Sequence, residues 1–215
     1  MRILAFDCAG AQCAAAILTD GAVTAEKRIT VERGHAQLLI PLLVELIDGA
    51  GLTFPDIDRI AVTTGPGSFT GIRVALAAAH GLALGTGKPI VGVTNFEALA
   101  AAAAQTLNPE SRLLVAIDSR RAELFVQLFD RTGAALSEPA MLAPDAVADW
   151  AGPGPLVLAG DAASQLAGMA GARLGDGPAL VDPVTVARLA AGRAAGPAPA
   201  PFYLRAPDAV PARIR

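Results

Sequence analysis

The chain has little from which to build a reactive centre. Only two cysteines and two histidines occur in its 215 residues. Cys8 and Cys13 lie close together across a strand turn and lack a four-ligand pattern, so two reduced, mostly buried thiols are expected. His35 and His80 have no companion three or four residues away, so no metal site is expected. His35 reads as a helix-start polar group and His80 as a helix-packing residue. An excess of positive charge is also missing: 17 Lys and Arg against 20 Asp and Glu leave a net charge of −3. Phosphate neutralisation dominates nucleic-acid binding, so this charge opposes an independent grip on nucleic acid, and any RNA would need a partner. The longest apolar runs read as shorter than a membrane span, and no signal peptide or anchor is expected. The chain therefore reads as cytoplasmic.

Complete nucleotide and nucleophile motifs are absent as well. Gly87-Lys88 is followed by Pro89 and has Leu82 where a phosphate loop needs its first glycine. In Gly65-Pro66-Gly67-Ser68-Phe69-Thr70-Gly71 the third glycine comes one place too late for a dinucleotide fingerprint. Ser68 is flanked at two residues by Pro66 and Thr70 where a nucleophile elbow has glycines. It reads as a helix cap.

What is present is ample apolar material, 53% of residues, organised around that glycine stretch. It follows the apolar run 59–63 and precedes an alanine-rich segment, which marks a strand-to-helix turn with exposed backbone amides. Upstream, runs at 2–8, 14–18 and 22–31 read as three antiparallel strands with Asp20-Gly21 as a hairpin turn. A helix starts near His35, and 38–47 is apolar nearly all round, so it is expected to be buried in a core or against another chain. Pro41 should start or kink it. The helix after the glycine turn carries many small residues, which suggests a helix-on-helix contact. A strand at 89–93 and a polyalanine helix at 95–106 complete the first half.

The second half begins in the same way. The strand 113–118 ends in Asp118 as the first strand ends in Asp7, and a strand at 124–129 follows. Later pieces are weaker: a helix at 145–150, a strand at 156–159, a helix after Gly160-Asp161, and another at 184–195. This echo predicts an α/β chain with two duplicated βββαβαβα-type lobes, the second reduced, of the actin, sugar-kinase and Hsp70 type. The lobes would be 1–108 and 109–215, with 196–215 a Pro/Ala linker and docking tail. Asp7 and Asp118 suit a magnesium-bound phosphate held through water. The turns beside them do not: Cys8-Ala9-Gly10 offers no Ser, Thr or Lys, and Ser119-Arg120-Arg121 has no glycine pair. Arg120 and Arg121 could bind an anion or a partner carboxylate; a solvated cluster is the default.

Together these residues resemble the bacterial TsaB (YeaZ) family, a component of the machinery that makes threonylcarbamoyladenosine beside the tRNA anticodon. The resemblance spans the strand to Asp7, Arg33-Gly34-His35 with the leucine-rich helix, Gly65 to Arg73, Asp118 to Glu123, and the tail Phe202-Tyr203-Leu204-Arg205. Relatives commonly have Asp-Thr-Ser where this chain has Asp7-Cys8-Ala9, and alanine where it has Ser119. The resemblance implies the actin-like ATPase superfamily fold and a non-catalytic scaffold for the paralogue TsaD, which transfers the threonylcarbamoyl group. Where TsaD has two metal-binding histidines, Asn95 and Leu99 stand here, so no metal is implied. Implied partners are TsaD in a heterodimer, TsaE in a ternary complex, a homodimer without TsaD, and tRNA only through the complex. The implied interface comprises His35, Leu38, Leu39, Leu42, Leu43, Pro66, Phe69, Thr70, Arg73 and Ala75. Asp7, Gly65, Gly67, Ser68, Asp118 and Arg120 would lie nearest any nucleotide. No tightly bound cofactor is implied; ATP or ADP with magnesium is expected only at a partner interface. The rival reading is a stand-alone ATP-dependent kinase or phosphatase using Asp7 and Asp118. A protease using Ser68 lacks any recognisable His or Asp spacing.

Overall fold

Strict alternation in the first strand decides the layering. In β1 (Arg2–Asp7), Ile3 and Ala5 join one apolar core while Leu4 and Phe6 join another, because successive strand side chains leave opposite faces. The computed structural model, which describes residues 1–104, 107–108 and 110–205, pairs β1 antiparallel with β2 (Gln12–Thr19). The chain then turns through Asp20 and Gly21, both at positive φ, into β3 (Ala22–Thr30). β4 (Arg59–Thr63) and β5 (Ile90–Val93) add in parallel on the other side, giving the order β3-β2-β1-β4-β5. The second sheet repeats this plan. β6 (Arg112–Asp118), β7 (Leu124–Phe129) and β8 (Ala140–Leu142) are antiparallel neighbours, and β9 (Leu156–Ala159) and β10 (Ala172–Leu174) extend β6 in parallel. The order β8-β7-β6-β9-β10 is that of the first sheet, strand for strand.

Among the described residues, five α-helices fill the remaining layers. α1 (His35–Gly49) and α2 (Phe69–Thr86) cover the outer face of the first sheet. α3 (Asn95–Ala104) and α5 (Pro183–Ala191) lie between the sheets, where Ile3 and Val93 of the first and Val115 and Val157 of the second share one core. α4 (Val147–Ala151) covers the outer face of the smaller lobe. The fold is the two-lobed actin-like α/β architecture with a reduced second lobe.

Several expectations need correction. The core of this chain covers only one side of α1: Leu39, Leu42, Leu43, Leu46 and Ile47 face the sheet, whereas Ile40, Pro41 and Val44 face outward, the side for which burial against another chain was the alternative. Pro41 lies inside the helix, so of the two roles expected for it the start is excluded and the kink is left. α2 has 18 residues and a mean hydropathy of 1.2, so by length and composition alone it does reach a membrane span. One face packs on the first sheet through Ile72, Ala75, Leu76 and Ala79, and the opposite face carries Arg73 and His80. β8 and β10, three residues each, are too short to show a period in sequence. The helix expected after Gly160-Asp161 is only a 3-10 turn, Ala163–Leu166, and Gln105 and Thr106 of the expected polyalanine helix lie outside the described residues. The halves also interlock. α5, from the second half, packs on β1 and β2, and Arg59 donates to the Ala190 and Arg193 carbonyls at its C-terminal end.

Candidate functional site

The site forms where the β1–β2 turn, the β6–β7 turn and the start of α2 converge. Asp7 ends β1 and is 1% exposed. Its Oδ1 accepts from Thr63 Oγ1 at 2.6 Å and from the Ala9 amide at 3.0 Å, while the buried Oδ2 has no partner among the described residues. Burial holds its carboxyl above the ordinary range, outweighing the hydrogen bonds that pull the other way. Asp118 repeats the turn: its Oδ1 accepts from the Arg120 amide at 2.7 Å. Its own amide donates to Asp161 Oδ1 at 2.8 Å, and burial raises Asp161 as well. Asp161, not singled out in sequence, lies two residues beyond β9, whereas Asp7 and Asp118 end their strands.

Asp7, Asp118 and Asp161 line one cavity together with Asn95, Leu99 and Leu180, and its volume is only about 20 Å³. That is room for about one water molecule. Leu180 closes on the turn from the side, since a Cβ on Gly10 would meet its Cδ2 at 3.2 Å, and Gln12 Nε2 donates to the Val181 carbonyl at 2.7 Å. The actin-like fold implies ATP with magnesium at this place, and the residues between the acids do not fit it: the space there admits about one water, and no hydroxyl or lysine stands at the first turn. Asn95 is occupied in a reciprocal pair with Gly65, whose amide donates to Asn95 Oδ1 at 3.2 Å while the Asn95 amide donates to Gly65 O at 2.7 Å. Among the described residues no group of three His, Cys, Asp or Glu is arranged to hold a metal ion.

The glycine stretch is a packing device first. Gly71 lies so close to the β1–β2 turn that a Cβ would stand 1.9 Å from the Cys8 carbonyl oxygen, and one on Gly67 would stand 2.5 Å from that of Ala9. The Ser68 amide donates to Ala9 O at 2.7 Å. Ser68 Oγ accepts from the Gly71 amide at 3.2 Å, so Ser68 is the α2 cap. His35 does not serve it: His35 is buried at the start of α1, with Nε2 3.0 Å from Gly10 O. Cys8 and Cys13 are free and buried, with Sγ atoms 3.0 Å apart. That hydrogen bond and burial push the Cys8 thiol up, so it stays protonated.

Beside the small cavity between the acids, a larger pocket of about 670 Å³ opens between the lobes. Its walls include Pro66, Ser68, Phe69 and Thr70 from the glycine turn, Arg33 and His35, Arg120, and the tail Phe202 to Arg205. The tail docks through the Phe202 amide on Thr64 O at 2.8 Å. Tyr203 stacks on Phe69 with ring centroids 4.8 Å apart. His80 is not a helix-packing residue: it is exposed, and its Nε2 lies 3.1 Å from Pro199 O, which ties it to the tail. Arg213 and Arg215, at the end of the expected docking tail, lie outside the described residues.

Of the ten expected interface residues, His35, Leu39, Leu42, Leu43, Pro66 and Ala75 are buried within the chain itself, Leu38 and Phe69 are half-buried, and Thr70 and Arg73 are exposed. The side chains that α1 and α2 offer outward are instead Ile40, 48% exposed, Val44, 39%, and Leu84, 90%. The signal was in the α1 helical phase: positions 40 and 44 lie one turn apart, off the stripe of 39, 42, 43 and 46.

The family profile described as "TsaD: tRNA N6-adenosine threonylcarbamoyltransferase" matches residues 25–174. The Escherichia coli protein named tRNA threonylcarbamoyladenosine biosynthesis protein TsaB is 37% identical over 131 residues, covering 61% of this chain and 56% of that protein. The chain thus spans about half the length of the curated relatives it matches. A solved structure from Pseudomonas aeruginosa, described as an uncharacterized protein with similarity to peptidase YEAZ, has a TM-score of 0.80 at 30% identity, covering 95% of this chain and 99% of that one. The activator of the 2-hydroxyisocaproyl-CoA dehydratase from Clostridium difficile, solved with bound ADPNP, has a TM-score of 0.53 at 13% identity over 88% of this chain and 94% of that one, a likeness of fold alone. The chain belongs to the family of TsaD, tRNA N6-adenosine threonylcarbamoyltransferase, and within it to the TsaB (YeaZ) group.

Proposed function

We propose that this chain is a non-catalytic partner required by a TsaD-type transferase for placing the threonylcarbamoyl group on the tRNA adenosine beside the anticodon. The observation that carries this reading is the missing phosphate grip: the first turn, Cys8-Ala9-Gly10, carries no hydroxyl or lysine, and the acids meet around a cavity of about 20 Å³, room for about one water between them. The outward face of α1 and α2, with Ile40, Val44 and Leu84 exposed, is the surface on which TsaD would dock, and a second copy of this chain would use the same face when TsaD is absent. TsaE would join as a third component, tRNA would be held by the complex, and the setting would be the cytoplasm. ATP or ADP with magnesium would sit at the partner interface and not in this chain's own cleft.

Co-purification with TsaD of the same organism tests this, together with threonylcarbamoyl transfer to tRNA by TsaD and TsaE with and without this chain. Wild type should bind TsaD and support transfer; the folded variant Val44→Glu plus Leu84→Glu should do neither. The meeting of Asp7 and Asp118 in one cavity favours a second reading, a stand-alone phosphotransferase. Magnesium-dependent ATP consumption by the isolated chain, lost in Asp7→Ala, would establish that reading and end the first.

A further inference from the structure

Arg73 stands at the fifth position of α2. Helical side chains lean towards the N-terminus, so its guanidinium reaches back one turn and lies over Phe69, with Cζ 3.7 Å from the ring centroid. Its Nε donates to Tyr203 Oη at 2.9 Å, and Tyr203 in turn stacks on Phe69. Two aromatic rings and one hydroxyl therefore fix an exposed arginine in a single orientation. Its face and its Nε edge are used, and the Nη1 and Nη2 edge has no acceptor among the described residues.

This placement runs against local electrostatics. A helix N-terminus carries partial positive charge and favours acids, and a cation there is disfavoured. α2 has no acidic residue in its first turn, nor does α1, and residues 196–205 contain no Asp or Glu at all. The adjoining pocket is lined by Arg33 and Glu32 and by Arg120, which pairs with Asp118 at 3.6 Å. In a chain with net charge −3, Arg73 thus holds an exposed guanidinium at a helix start with no acid in its first turn.

We infer that Arg73, held by Phe69 and by Tyr203 of the tail, is a receptor for a carboxylate on the partner chain, which accepts two parallel hydrogen bonds from Nη1 and Nη2. The inference rests on the proposed pairing with TsaD and gives that pairing its chemistry. The planar fork matches a carboxylate bidentately and needs no further ordering on binding, which a lysine cannot reproduce. Tyr203 is a positioning residue: it touches the arginine and not the partner's acid. The tail therefore belongs to the recognition surface.

The test is the affinity of this chain for purified TsaD, without nucleotide or tRNA, between about 50 and 400 mM salt, a range that screens exposed charge pairs strongly. Arg73→Ala should weaken association about tenfold or more, Arg73→Lys severalfold although charge is kept, and Tyr203→Phe about threefold although the ring is kept. The salt dependence should be shallower for Arg73→Ala than for wild type. If Arg73→Ala and Arg73→Lys stay within about twofold of wild type while Val44→Glu plus Leu84→Glu abolishes binding, the function reading stands and the carboxylate receptor is overturned. A structural clamp alone would lower the melting temperature of Tyr203→Phe and leave the salt dependence unchanged, which also overturns it. No wild-type complex at all removes the function reading and this inference with it.

Discussion

Asp7 is a buried carboxylate with one oxygen satisfied twice and the other unpartnered. Its folded pKa lies above the unfolded value of about 4, so folding favours the protonated form. The stability this contributes is full below about pH 4 and is lost as pH rises through the folded value. Asp7→Asn never ionises and keeps an oxygen for Thr63 and Ala9. It should melt about 2–4 °C above wild type at pH 8, a gain on the order of 1 kcal/mol, and the two melting curves should converge as the pH falls towards 4. Gly71 is the opposite case. Gly71→Ala drives a methyl into the Cys8 carbonyl and should cost about 3 kcal/mol or more in urea unfolding. Gly81→Ala, with nothing within 4 Å, should stabilise α2 by up to about 1 kcal/mol.

At the scale of elements, α1 and α2 separate folding from association. Leu39 and Ala75 are fully buried, so Leu39→Glu or Ala75→Glu places a charge in the outer core and should unfold the chain at a cost of several kcal/mol. Val44→Glu and Leu84→Glu should change thermal stability by no more than about 0.5 kcal/mol each while removing association with the partner, a contrast that melting by circular dichroism and co-purification resolve. Both helices were legible in sequence, and so was the Ser68 cap, because apolar periodicity and capping are local. The inward and outward sides of α1 were not read correctly, because a segment apolar at nearly every position hides its phase. His80 was misread for another reason: its partner, Pro199, is 119 residues away.

At the scale of the molecule, the shared core and the docking of α5 on β1 and β2 tie the lobes together. Unfolding should therefore be one cooperative transition, with Trp150 fluorescence, which reports the smaller lobe, coincident with far-ultraviolet circular dichroism, which reports both. Two separated transitions would mean that the lobes unfold independently. The sequence by itself determined the strand-end acids, their internal echo, the glycine turn and the absence of metal-ligand spacings, all patterns written within a few residues of one another. Only the tertiary structure decided that the space between those acids is so small, since Leu180 and Val181 reach it from far along the chain. It also decided that Tyr203 immobilises Arg73 across 130 positions of sequence. Volume and pairing of this kind depend on which distant segments share a space, and no local spacing encodes that.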